Sequence, residues 1–82
     1  MSKLSRESLC LDIEQELNNT NFNDVSDVDS SYHYILTKIK ECDFSPNYKS
    51  VLIDILEDNN ITLQETYFEL LDKLRWWILC NL

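Results

Sequence analysis

A chain of 82 residues with no glycine and a single proline lacks the residues from which the tight hairpins of a many-turned β-fold are made. At 44% hydrophobic and 27% charged, its composition is that of one globular domain with a modest core, not of a disordered segment. Fifteen acidic residues against seven basic ones leave a net charge of −8. Phosphate backbones and anionic lipid repel such a chain, so neither direct nucleic-acid binding nor membrane-surface binding is expected.

These bounds predict an all-α fold: a compact antiparallel bundle of four main helices, six if short extra ones form. The first helix is expected from about Ser5 to Leu17, where Leu9, Ile13 and Leu17 recur every four residues with Cys10 beside them. The run Asn18-Asn19-Thr20-Asn21-Phe22-Asn23 ends it, because asparagine favours turns over helix interiors. Phe22 is expected to anchor this loop to the core. The second helix starts either at Ser26, with Ser26-x-x-Asp29 as its cap, or at Ser30, the intervening residues then forming a separate short turn. Val28, Tyr32, Ile35, Ile39 and Cys42 mark its buried face, with Leu36 alongside.

Ser45-Pro46 is a strong helix start, serine as N-cap and proline at the first helical position, where a missing amide costs nothing. Tyr48, Val51, Leu52, Ile55 and Leu56 then form an amphipathic stripe that stops at Glu57-Asp58-Asn59-Asn60. Thr62-Leu63-Gln64-Glu65 reads as a capping box opening the last helix, which the short loop makes an antiparallel neighbour of the third. Leu63, Tyr67, Leu70, Leu74 and Trp77 run along it, flanked by Phe68, Leu71, Ile78 and Leu82. Adjacent tryptophans project about 100° apart on a helix, so one neighbour cannot easily cover both. Either this helix is central to the bundle or one tryptophan awaits a partner; Trp77 shares the stripe, which leaves Trp76 outside it. The expected core is Leu9, Ile13, Leu17, Tyr32, Ile35, Ile39, Val51, Leu52, Ile55, Leu56, Leu70, Leu74 and Trp77.

Catalytic chemistry finds no foothold. His33 has no nucleophile or metal-ligand partner near it in sequence and reads as a surface or core-edge residue. Asp12, Glu14 and Glu16 splay around a helix, and without glycine there is neither an EF-hand loop nor a phosphate loop. Cys10, Cys42 and Cys80 are widely spaced and form no CxxC pair. Met1-Ser2-Lys3-Leu4-Ser5-Arg6 leads into no apolar signal-peptide core, and Trp76 to Leu82 is too short to span a bilayer. The expectation is a cytoplasmic protein with reduced thiols, no enzyme, and neither cofactor nor bound metal.

Two surfaces remain. Asp12, Glu16, Asp24, Asp27 and Asp29 fall in a span from Arg6 to Lys38 that has no other basic residue. This acidic face either keeps a small protein soluble or docks a basic protein surface, in the sharper version by imitating nucleic-acid phosphates. The second surface is the aromatic C-terminal face of Arg75, Trp76, Leu79 and Leu82, since tryptophan is a favoured interface anchor.

Val51-Leu52-Ile53-Asp54-Ile55-Leu56-Glu57-Asp58-Asn59-Asn60-Ile61, followed by Tyr67-Phe68-Glu69-Leu70-Leu71-Asp72-Lys73-Leu74-Arg75 and Ile78-Leu79, resembles the C-terminal half of a death effector domain. Leu4-Ser5-Arg6-Glu7-Ser8-Leu9 is similar to that family's start. The family's Arg-x-Asp-Leu motif would fall on Trp76-Trp77-Ile78-Leu79, with apolar residues at both charged positions. The resemblance implies a six-helix bundle and homotypic assembly, with a weakened charge network at the end. Two functions compete: a death-fold-like adaptor or regulator that docks onto a protein partner and can self-associate, and a small acidic inhibitor of phage or bacterial type that occupies a basic, nucleic-acid-binding surface.

Overall fold

The computed structural model describes residues 6–80. Four helices form, α1 (Arg6–Asn19), α2 (Val25–Glu41), α3 (Pro46–Leu56) and α4 (Leu63–Cys80). The described residues contain no strand and no additional short helix, so they fall short of the six helices that the resemblance implies. The first helix extends two residues past Leu17, and the expected start at Ser5 lies outside the described residues.

The helix starts follow local chemistry. Ser45 accepts the Tyr48 amide at 3.3 Å with Pro46 at the first helical position, and the Thr62 hydroxyl accepts the Glu65 amide at 3.2 Å. The start of α2 differs from expectation: Asp24, not Ser26 or Ser30, is the N-cap, its carboxylate accepting the Ser26 amide at 3.0 Å. The asparagine loop explains this. The Asn21 side chain accepts the Asn23 amide at 3.1 Å, and the Asn21 carbonyl accepts the Asp24 amide at 2.9 Å. That turn delivers Asp24 in extended backbone directly ahead of Val25. At the other end of α2, the Lys49 ammonium donates to the Lys40 carbonyl at 2.9 Å and ties α3 to it.

Each helix packs on two others, α1 on α4 and α2, and α3 on α4 and α2. Arg6, at the start of α1, lies against Phe44, just past α2, and against Trp77, near the end of α4; Tyr48, at the start of α3, also meets Trp77. Opposite ends therefore meet, and the chain turns back on itself at each loop.

The core is Leu9, Cys10, Ile13, Ile35, Ile39, Cys42, Phe44, Leu52, Leu56, Tyr67, Leu70, Leu71 and Leu74, each large aliphatic side chain contributing roughly 1.5–3 kcal/mol by leaving water. Of the expected core residues, Leu17, Tyr32, Ile55 and Trp77 are only partly buried. Val51 is a correction: it stands 39% exposed. Leu52 and Leu56 are the buried pair of α3, and Val51 sits a quarter turn from Leu52, at the edge of a stripe wider than the contact it makes. Phe44 is the core residue that periodicity missed, since it lies in the loop between α2 and α3. Phe22 does anchor its loop, with its ring edge-on to Tyr67 at 6.2 Å.

At the centre, Ser31 and Tyr67 share a hydrogen bond of 2.6 Å between their hydroxyls, both residues buried. Burial pushes the Tyr67 phenol up to about 12, the Ser31 hydrogen bond pulling the other way. It also pushes the Cys42 thiol up to about 11, opposed by Lys49. Both groups hold their protons more tightly in the folded chain than at their ordinary values of 10.0 and 9.0. Their contribution to stability is therefore intact below the lower of these values and is lost as pH rises through the folded ones. Chemical denaturation at about pH 8 and about pH 11 should show the alkaline loss, with Tyr67→Phe flattening its upper part. At neutral pH, Tyr67→Phe should cost about 1–3 kcal/mol because Ser31 loses its partner. Ser31→Ala combined with Tyr67→Phe should cost less than the two single changes summed.

Candidate functional site

The two tryptophans part as their helical angle requires. Trp77 turns inward, where its ring takes the Arg6 guanidinium at 3.4 Å and meets the Tyr48 ring at 6.1 Å. Phe44 closes this aromatic corner, 4.7 Å from the same guanidinium and edge-on to Tyr48 at 5.0 Å. A cation held between aromatic faces away from bulk water gains on the order of 1–2 kcal/mol. Sequence reasoning missed the role of Arg6, which no spacing rule brings next to residues forty and seventy positions away.

Trp76, by contrast, is 69% exposed, as is Leu79 one turn on. Phe68, 57% exposed, lies almost directly below Leu79 on the same side of α4. Beside Trp76 a groove of about 540 Å³ runs between α3 and α4, lined by Tyr48, Ile55, Glu69, Asp72, Lys73 and the two indoles. Arg75, also exposed, forms an ion pair with Glu14 of α1. Leu82 lies outside the described residues. Three of the four residues expected to form the aromatic face thus stand together on the exposed side of α4's second half, and Phe68 extends that face towards the helix start.

The acidic residues are distributed differently. Tyr34 of α2 donates to Asp12 at 3.4 Å, and Thr20 donates to Glu16 at 3.3 Å. Asp24 caps α2, and Asp27 accepts the Asn21 amide at 2.7 Å. Asp29 pairs with His33 one turn on at 3.5 Å, where exposed His33 sits edge-on to Tyr32. Asp29 is about 200° round the helix from Asp27, so the five carboxylates do not converge on one patch. Asp29 instead lines a different cleft, together with Glu57 and Asp58. Those two residues follow an apolar stripe directly, a signal that sequence reasoning took only as a helix end.

No family model, curated protein or solved structure matches this chain. The surfaces themselves therefore carry the functional reading. Cys10 and Cys42 are buried free thiols and Cys80 is an exposed one. Burial raises both buried thiols, which makes them poor nucleophiles. Among the described residues no group of three or more His, Cys, Asp and Glu side chains is placed to hold a metal ion. No described helix is long and apolar enough to cross a membrane.

The contrast between the indoles is measurable. Trp77→Phe should leave an emission red-shifted and readily quenched by iodide, whereas Trp76→Phe should leave one blue-shifted and protected. Trp76→Ala should move stability by no more than about 0.5 kcal/mol. Trp77→Ala should cost about 2 kcal/mol, below the range for a fully buried aromatic.

Proposed function

We propose that this protein is a non-enzymatic, cytoplasmic interaction module that works by packing the exposed face of α4 against a second copy of the same chain. The observation that carries this reading is the exposure of Trp76 and Leu79 one turn apart, beside the groove between α3 and α4. A projecting indole next to a groove is self-complementary under a two-fold axis, because each copy offers both the anchor and the receptacle. Charge supports the same choice. Around this face Glu69 and Asp72 stand beside Lys73 and Arg75, so the face lacks the single sign of charge that would repel a second copy at the contact itself. The adaptor reading of the sequence belongs with this proposal; the death-effector resemblance stays a likeness of sequence pattern, and the module rests on the exposed face.

The inhibitor reading draws less support. Asp12, Glu16, Asp24, Asp27 and Asp29 do not converge on one patch, and three of them serve the loop or the cap that begins α2.

Sedimentation equilibrium tests the proposal. Self-association should grow with protein concentration and strengthen with added salt, because a net charge of −8 on each copy opposes approach and is screened. Trp76→Ala should abolish it with the fold intact by circular dichroism. A strict monomer up to about 1 mM, a concentration at which even an interaction of about −4 kcal/mol populates the dimer, would overturn the proposal.

A further inference from the structure

At the pole opposite Arg6, the start of α2, the end of α3 and the start of α4 enclose an open cleft of about 650 Å³, within the usual range of binding clefts. Its walls are mixed: Val25 and Val28 from α2, Leu56 from α3, and Ile61 and Leu63 leading into α4 supply an apolar surface, with the polar Asn59 and Thr66 among them. Val25 is 85% exposed at its mouth. Asp29, Glu57 and Asp58 edge the apolar surface, and no lysine or arginine lines it.

The charge distribution of the whole molecule favours the same conclusion. Every described lysine and arginine (Arg6, Lys38, Lys40, Lys49, Lys73 and Arg75) lies in the half of its helix nearer the Arg6 pole. Among the described residues, the cleft therefore opens at a pole without a lysine or arginine of its own. The end of α3 sharpens this. A helix C-terminus carries partial negative charge that lysine or arginine ordinarily offsets. Here the last turn has no basic residue, and Glu57 is the C-cap with Asp58 after it. Like charges are stacked at this helix end, and nothing basic among the cleft's residues relieves them.

We infer that this cleft docks a short amphipathic segment of a partner protein, its aliphatic side chains on the Val25, Val28 and Ile61 surface and its lysines or arginines against Asp29, Glu57 and Asp58. The occupant is a basic segment because apolar packing alone would not choose a sign, whereas the edge and the α3 terminus both do. This surface is separate from the Trp76 face, and the inference holds whether or not that face self-associates.

The probe is a fluorescently labelled helical peptide of leucines and lysines at amphipathic spacing, with a leucine and glutamate peptide of the same pattern as control. Anisotropy titration of the full chain should show binding of the basic peptide that weakens steadily as salt is raised, the reverse of the salt response expected for self-association. Glu57→Gln with Asp58→Asn should weaken it about tenfold, because two ionic attractions at a partly exposed edge disappear. Asparagine can still accept the Asn60 amide that Asp58 accepts at 2.9 Å, so the turn should survive. Val25→Lys, at an exposed position, should weaken binding at least as much. Amide shift changes on adding the peptide should centre on Val25, Val28 and Ile61. Equal affinity for the glutamate peptide, binding unaffected by these variants, shifts centred instead on Trp76 and Leu79, or no binding at about 1 mM peptide, would each overturn the inference.

Discussion

A phenol placed at the centre of a small helical domain must find a partner, because an unpaired hydroxyl there costs about 1–3 kcal/mol. Tyr67 finds Ser31, and that pairing fixes the rotation of α4 relative to α2. Sliding either helix by one residue would strand both hydroxyls and carry Ile35, Ile39, Leu70 and Leu74 out of the positions that bury them. Phe22, edge-on to the same ring, places the loop between α1 and α2 in the same way. A directional polar bond thus selects one arrangement from the many that aliphatic packing alone would tolerate.

The consequences run outward along α4. With Tyr67, Leu70, Leu71 and Leu74 turned to the core, helical geometry leaves Phe68, Trp76 and Leu79 on other sides whatever their hydrophobicity. The bundle has no fifth element among the described residues to cover them. At the far end of the helix, Trp77 is retained because Arg6, Phe44 and Tyr48 gather round it. One pole of the molecule is closed by a cation among aromatics, and the other is left open between acidic residues.

Local signals were legible in the sequence. Ser45-Pro46 works as read, and Thr62 takes the Glu65 amide three residues on, without the return bond from Glu65 that would complete the capping box. The separation of Trp76 from Trp77 follows from helical angle alone. What failed needed information from elsewhere in the chain. Asp24 displaces Ser26 as the cap because a turn at Asn21 sets its backbone. Phe44 carries no periodicity yet is buried, while Val51 carries it and is not, since the neighbouring helix covers less of α3 than the stripe offers. The acidic residues of α1, the loop and the start of α2 form one face only if packing sets them side by side, yet a helix turns Asp29 away from Asp27. The cleft that Asp29 joins requires three segments to meet and has no signature in any one of them.

No described residue takes a positive φ, so every described turn is made from backbone conformations open to any side chain with a β-carbon. No described loop position is reserved for glycine, and the chain has none. Glycine widens the range of conformations a denatured chain explores, and a chain without it has fewer to give up on ordering. Part of what stabilises this small domain is therefore invisible in its packing: it lies in the narrowness of the ensemble from which it folds.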